Sequence, residues 1–325
     1  MKIAILDDWF DTLRNLPCFA KLGGLDVTVF TDHLADIDAL ASRLKPFDAI
    51  VLFRERTAIP ASLIAQLPNL KLISQRSVYP HIDIKACSAH NVLVCSNMHA
   101  GTPSFAASEH SWALIMTAMR DIPQQMASLQ NGNWQIGVGK SLHGRCLGLY
   151  GYGRIAKQVA HYAAAFGMDV QWWASEDGRE RVRADGQNLA ASRHDFFATS
   201  DVVSIHVRLK PNTRGIISAP DLAAMRADSL FVNTSRAGLI EAGALRAALD
   251  LGHPGKAAID VFDEEPITWR NDPLATHPRL IATPHIGFVT EDEFEIQFAD
   301  IFDQIVAYVQ GEPINMINPT VWAHA

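Results

Sequence analysis

At 325 residues the chain is longer than one ordinary domain and long enough to bury two cores. Apolar residues make up 48% of it and charged residues 19%, with no low-complexity stretch, so extensive disorder is excluded away from the ends. The formal charge of -7 excludes a general nucleic-acid surface, which needs clustered Lys and Arg; the densest basic patch, Arg179, Arg181 and Arg183, alternates with Glu180 and Asp185 and reads as a solvated face.

Taken in chain order, Met1 to Leu6 is an apolar stretch that meets Asp7-Asp8 and is too short for a signal peptide. No later run reaches membrane-spanning length, so no membrane partner and a cytoplasmic location are expected. Ile3 to Leu6, Val27 to Phe30, Ala49 to Phe53, Leu70 to Ser74 and Val92 to Cys95 predict strands. Ile37 to Leu44 and Ser62 to Leu67 have helical patterns between them, which makes the first hundred residues a doubly wound α/β series. Asn97 to Ser104 is turn-rich and predicts a hinge before the apolar helix Phe105 to Met119. Ala106 to Met119 is too apolar for a surface helix, so it is expected to bury a subunit interface of a homodimer. Cys18, Cys87, Cys95 and Cys146 show neither a C-x-x-C pair nor zinc-type spacing, so reduced structural thiols and no metal site are expected.

A second alternating series begins at Cys146 to Tyr150 and continues through Val170 to Trp173, Val202 to Ile205, Leu230 to Asn233, Ala257 to Val261 and Leu280 to Ala282. These are the six strands a dinucleotide-binding domain requires. After His285, Thr290-Glu291-Asp292-Glu293 has a capping-box pattern, and Phe294, Phe298, Ile301, Ile305 and Val309 follow at helical spacing until Gly311 and Pro313. That helix needs a surface to cover, and the first domain is the surface expected. The predicted domains are therefore 1–100 plus 288–325, discontinuous, with 101–287 inserted.

Gly151-Tyr152-Gly153-Arg154-Ile155-Ala156 follows the first strand of the second series and opens a helical run. The first Gly permits a tight turn, the second lets backbone approach a pyrophosphate, and Ala156 replaces the third. The acid that grips an adenosine ribose is missing after Val170 to Trp173, where Ala174-Ser175-Glu176 stand instead. Either Glu176 reaches back to the ribose, favouring NAD, or the missing charge admits the 2′-phosphate of NADP, with Arg208 as a cationic partner. Arg208 can equally stack over adenine or point to water.

Three signatures close the chain: Asn233-Thr234-Ser235-Arg236, Asp260 to Pro266, and Thr283-Pro284-His285-Ile286-Gly287. Each follows an apolar strand, so an Arg, a Glu and a His can meet at one sheet edge, a set suited to reducing a 2-oxo acid. With Ser200 to His206 and Pro211 to Gly215, they make the chain resemble the D-2-hydroxyacid dehydrogenase family over nearly its whole length. The resemblance implies a flavodoxin-like substrate domain, an inserted Rossmann NAD(P)-binding domain, an active site in the cleft between them, and a dimer. By matching position, Arg236 binds the carboxylate and carbonyl oxygen of a small 2-oxo or 2-hydroxy acid. His285 is the acid and base, and Glu265 accepts a hydrogen bond from the imidazole and raises its pKa.

Gly151, Gly153, Arg154, Ile155, Ala174, Ser175, His206, Val207, Arg208, Thr213, Thr234, Ser235 and Asp260 form the implied cofactor site, for NAD with NADP as the second possibility. A turn cap is the rival reading of Asp260. Ala237 stands where the family commonly has Gly. After Leu70 to Ser74 the family usually has Gly-rich amides, whereas this chain has Gln75 to Pro80. The amides of Ser77 and Val78 are the substitute donors expected there. Arg76 either favours a phosphorylated or dicarboxylic substrate or is a surface arginine. The rival functions are a corepressor-like, cofactor-sensing scaffold and a formate dehydrogenase-like enzyme; the latter pairs its histidine with Gln, and Glu265 speaks against it.

Overall fold

Residues 1–98, 104–267 and 272–324 are described by a computed structural model. Most of the turn-rich stretch expected as a hinge, 99–103, lies outside the described residues. The chain divides into two compact units, Met1–Pro103 with Thr290–Ala325, and Ser104–Val289.

In the first unit β1 (Lys2–Ile5), β2 (Asp26–Val29), β3 (Ala49–Val51), β4 (Leu72–Arg76) and β5 (Leu93–Asn97) form one parallel sheet. The order is β2-β1-β3-β4-β5, the flavodoxin-like arrangement expected. Ala49, Ile50 and Val51 are fully buried, as a central parallel strand covered on both faces must be. Ala4, Ile50, Ile73 and Val94 point to the face covered by α1 (Ile37–Leu44), α2 (Ala61–Ile64) and α3 (Ile84–Ala89). Asp36 and Asp83 set the starts of α1 and α3 by accepting from the amides of Ala39 and Ala86 at 2.8 and 2.9 Å. β4 runs two residues past its predicted end. Gln75 and Arg76, expected in the following loop, pair in register with Ser96 and Asn97 of β5.

The second unit begins with α4 (Ala106–Met119) and α5 (Ile122–Gln130). It continues as β6 (Cys146–Tyr150), α6 (Arg154–Ala165), β7 (Asp169–Trp173), α7 (Glu176–Ala184), α8 (Arg193–Thr199), β8 (Val202–Ile205), α9 (Ala219–Ala224), β9 (Leu230–Asn233), α10 (Ala244–Leu251), β10 (Lys256–Ile259) and β11 (Leu280–Ala282). All six strands are parallel, in the order β11-β10-β9-β8-β6-β7. Leu189 adds a parallel bridge to Trp172 on the outer edge of β7, with Trp172 N donating to Asn188 O at 2.9 Å. Counting that bridge as a vestigial third strand restores the dinucleotide-fold order, third-second-first-fourth and onward. Six strands were read from the sequence without it, because one bridging residue between Asn188 and Ala190 leaves no apolar run.

α4 has a cover within its own unit. Leu114, Ile115, Ala118 and Met119 belong to the core formed with Leu147, Leu149, Val159 and Ala163 of the sheet and α6. The helix is apolar because it is covered within its own unit. A run of exposed apolar side chains lies one element later, at Met126 and Leu129 of α5 and at Trp134 and Val138 beyond it.

The chain then returns to the first unit through α11 (Glu291–Val309), whose start Thr290 caps by accepting from Glu293 N at 3.1 Å. Phe294, Phe298 and Phe302 line its buried face. Buried Gln304 donates to Ser74 Oγ at 2.8 Å and to Gln75 O at 3.0 Å, and Ser74 Oγ donates to Ile301 O at 2.9 Å. The last segment pairs antiparallel with the edge of β5 at Cys95 and Met316. Asn318 fixes it, accepting from Val94 N at 2.8 Å and donating to Val92 O at 2.9 Å. Among the described residues no helix is long and apolar enough to cross a membrane.

Burial pushes the thiols of Cys18, Cys87 and Cys95 up to about 12 and that of Cys146 up to about 11. The native protein should therefore react only slowly with a thiolate-directed reagent at mildly alkaline pH, while all four thiols react at once in denaturant. Rapid labelling of four thiols in the native state would contradict this packing.

Candidate active site

The sheet order of the second unit reverses between β6 and β8, the point where α/β sheets leave a crevice at their carboxyl ends. Gly151 follows β6 there with φ +113°, a conformation open to glycine, and a Cβ at this position would run into the carbonyl oxygen of His206. His206 N donates to Tyr150 O at 2.8 Å, so the two strand ends are locked together. Gly153 caps α6 without a side chain, and a Cβ built on it meets nothing within 4 Å. The first-turn amides of α6 thus lack a side-chain acceptor beneath open space, which fits a pyrophosphate.

Ala156, at the third glycine position, is fully buried, and Ile155 packs beside it. Arg154 is exposed and donates to Ser104 O at 3.1 Å. Burial pushes the His206 imidazole down to about 4; the ring shares a 2.9 Å hydrogen bond with Ser204 Oγ. The backbone of His206 also closes the turn, its N–H bonded to Tyr150 O. Val207 packs on the core, and Thr213 Oγ1 closes the next loop by accepting from Lys210 N at 2.7 Å and donating to Arg208 O at 2.8 Å. Arg208 itself is exposed. Ala174 is buried, and Ser175 caps α7.

Arg236, Glu265 and His285 follow β9, β10 and β11, three adjacent strands, and so share one edge of the sheet. Fully buried Asn233 shapes the first turn: its Nδ2 donates to Arg236 O and its Oδ1 accepts from Ser235 N, both at 3.0 Å. Ser235 Oγ donates to Ile205 O at 2.8 Å, and Thr234 Oγ1 lies 2.7 Å from Ser111 Oγ. Both hydroxyls thus hold the turn within the unit, and the backbone groups of these residues stand beside them at the strand end. Arg236 is half-buried and donates to Ser235 O at 2.7 Å. Ala237 opens a short 3-10 turn without a left-handed backbone, so the methyl that replaces the expected glycine costs nothing there.

His285 Nδ1 lies 2.5 Å from Glu265 Oε2, and Glu265 Oε1 accepts from Phe262 N at 2.8 Å. The pair is partly exposed, at 27% and 33% for the two side chains, so the ring is held yet reachable. His285 has φ +54°, which a residue other than glycine adopts only under constraint. The constraint is Asp260. Its fully buried carboxylate accepts from Thr283 Oγ1 at 2.5 Å and Ile286 N at 2.9 Å through Oδ1, and from Gly287 N at 2.8 Å through Oδ2. His110 Nε2 of α4 adds a contact at 3.2 Å. Burial pushes this carboxyl up, but hydrogen bonds from His110 and Thr283, the charge of His110 and the Ile286 amide outweigh it and hold the carboxyl below its ordinary value. The geometry therefore gives Asp260 the turn-capping role. Asn233, His110 and Thr283 were not among the candidates from sequence. Asn233 and Thr283 stood inside quoted signatures, whereas His110 left no signal in an apolar helical run.

In the first unit, Asp7, Arg54 and Ser77 follow β1, β3 and β4, neighbours in the sheet, and all three have left-handed backbones at φ +61°, +58° and +78°. The substrate-loop expectations change here. Arg76 is not a surface arginine: its side chain is 10% exposed and lies 2.8 Å from Asp300 and 3.8 Å from Glu293. The Ser77 amide is committed to Asn97 O at 3.1 Å, so of the two expected donors it is already used. Gln75, fully buried, donates to Ser77 O and Ser96 Oγ at 2.9 Å and braces the loop from beneath.

Residues 112–287 match the NAD binding domain of the D-isomer specific 2-hydroxyacid dehydrogenases. The chain is 31% identical over 291 residues to D-3-phosphoglycerate dehydrogenase of Bacillus subtilis, covering 89% of this chain and 54% of that protein. It is 30% identical over 296 residues to glyoxylate reductase of Aeropyrum pernix, covering 87% of each. A solved phosphoglycerate oxidoreductase from Vibrio cholerae superposes with a TM-score of 0.90 at 44% identity, over 95% of this chain and 99% of that one. The chain belongs to the D-isomer specific 2-hydroxyacid dehydrogenase family, and its second unit is a nicotinamide dinucleotide-binding domain. It spans about half the length of the first curated relatives it matches.

Because the folded pKa of Asp260 lies below the unfolded value, its stabilisation is present above about pH 4 and is lost as pH falls through the folded pKa. Asp260→Asn places an NH2 against the amides of Ile286 and Gly287 or the Thr283 hydroxyl, leaving a buried donor unpaired. The variant should lose roughly 1–3 kcal/mol and show a shallower loss of stability in acid than the parent. Denaturant unfolding across acid pH measures both effects.

Proposed function

We propose that this chain is an oxidoreductase that interconverts 2-oxo acids and D-2-hydroxy acids with a nicotinamide cofactor. The observation that carries the proposal is the 2.5 Å pair of His285 Nδ1 and Glu265 on the sheet edge that also carries Arg236. Gly151, Gly153 and the first-turn amides of α6 would hold the pyrophosphate of a nicotinamide dinucleotide, which in its reduced form would supply the hydride for the carbonyl carbon. Arg236 binds the substrate carboxylate and draws electron density onto the carbonyl oxygen. His285 delivers a proton from Nε2 to that oxygen as the alkoxide forms and takes it back in the reverse direction. Glu265 holds the ring by Nδ1, so that Nε2 is the nitrogen presented to substrate. Asp260 acts on the chemistry through the turn it holds.

A panel of 2-oxo acids including glyoxylate, hydroxypyruvate, pyruvate, phenylpyruvate and 3-phosphohydroxypyruvate, with both reduced nicotinamides, tests the activity. At least one pair should turn over, and His285→Ala should lower kcat by about 10²–10⁴-fold while cofactor affinity changes little. Unchanged turnover in that variant would remove His285 from the chemistry.

We also propose that the chain forms a homodimer through α5 and the loop beyond it. Met126 is 56% exposed, Leu129 61%, Trp134 75% and Val138 94%, a concentration of apolar surface that a second copy of the chain would cover. Light scattering should give twice the chain mass at micromolar concentration and a single chain for Trp134→Asp combined with Val138→Glu. A parent chain that is monomeric refutes this surface.

A further inference from the structure

The adenosine end of the dinucleotide site departs from the pattern that selects NAD. In that pattern a carboxylate about 20 residues past the glycine turn, at the end of the second strand, accepts from the ribose hydroxyls. Here β7 ends at Trp173, Ala174 is a buried methyl, and Ser175 caps α7. Gly178 brings the first turn of α7 directly onto this point, since a Cβ on it would lie 2.6 Å from that of Ala174. The nearest acid, Glu176, is turned back along α7, where it pairs with Arg179 and lies 3.6 Å from Arg183.

What the corner holds instead is cationic. The Arg179 guanidinium lies over the Trp173 ring, 4.6 Å from its centroid, and its Nε is buried with no hydrogen-bond partner among the described residues. From another face of α7, Arg181 donates to Tyr152 O at 3.3 Å, inside the glycine turn. The Lys157 ammonium sits 4.2 Å from the Tyr152 ring centroid and is already paired with Asp185 at 2.9 Å, which leaves Arg179 as the cation of this corner. A guanidinium fixed on an aromatic face keeps its fork of donors oriented, and a phosphate matches that fork.

We propose that Arg179, with the Ser175 hydroxyl, reads the 2′-phosphate of NADP(H) and makes this chain selective for the phosphorylated cofactor. The inference rests on the nicotinamide-site reading of the glycine turn. Glu176 is its internal competitor: the phosphate takes the place of this carboxylate on Arg179. Arg208, the cation the sequence suggested, is not needed.

Calorimetric titration of the full chain with 5′-AMP and with adenosine 2′,5′-bisphosphate, followed by NADH and NADPH, tests it without turnover. The 2′-phosphorylated ligand of each pair should bind about tenfold or more tightly. Arg179→Ala should bring the ratio toward one with 5′-AMP affinity unchanged. Glu176→Gln leaves the packing on Trp173 intact and should widen the ratio, which decides the matter if the arginine variant does not fold. Equal binding of the two ligands, or tighter binding of 5′-AMP and NADH that weakens in Glu176→Gln, overturns the role of Arg179 and leaves the dinucleotide site standing. If neither nucleotide binds, both readings fall.

Discussion

A single buried carboxylate organises the edge of the sheet where the reacting groups stand. Asp260 draws donors from the turn after β11 and from α4, so the backbone from Thr283 to Gly287 wraps around it. A left-handed residue that is not glycine costs roughly 1–2 kcal/mol. A hydrogen bond to a charged group contributes about 1.5–3 kcal/mol. Three such bonds outweigh the conformation they impose on His285, and the imidazole is placed by a turn that has no easier shape. Gly287 is required on the same account, because a Cβ there would sit 2.9 Å from Asp260 Oδ2.

The first unit reaches a similar result with different residues. Asp7, Arg54 and Ser77 end three adjacent strands in the left-handed region, and each is braced by buried or half-buried polar partners. Asp7 accepts from Thr57 Oγ1 at 2.6 Å and lies 2.8 Å from His33 Nδ1, Arg54 donates to Gln297 at 3.0 Å, and Gln75 and Asn97 hold Ser77. Backbone strain at successive strand ends persists only where the surroundings over-determine it, and such places cluster at ligand sites. Both sheets put their constrained residues at their carboxyl edges, where doubly wound folds bind ligands.

The sheets were legible in the sequence because parallel strands buried on both faces leave continuous apolar runs, and their alternation with helices marked both units as doubly wound; the two strand arrangements came from the family resemblance. What escaped reading had no such run. Leu189 is a one-residue bridge, and the extension of β4 through Gln75 and Arg76 is polar because its side chains serve buried hydrogen bonds and ion pairs. The signatures located Arg236, Glu265 and His285 by residue type. Which partners position them depends on strand ends meeting in space, so His110 on a helix over a hundred residues away was invisible. The apolar character of α4 was visible, but not what would cover it. The alternation of Arg179, Arg181 and Arg183 with acids hid the stacking of one of them on Trp173.

The polar braces from α11 to β4 and the seam of Asn318 along β5 also set an order of events during synthesis. Ser74 and Gln75 wait for Gln304, and Val92 and Val94 wait for Asn318, more than two hundred positions downstream. The inserted unit, contiguous from Ser104 to Val289, has all of its strands once β11 has left the ribosome. Of the two units, the discontinuous one is thus completed after the inserted one, and until then the outer edge of β5 lacks the antiparallel partner at Met316 that keeps an edge strand from pairing with a stranger.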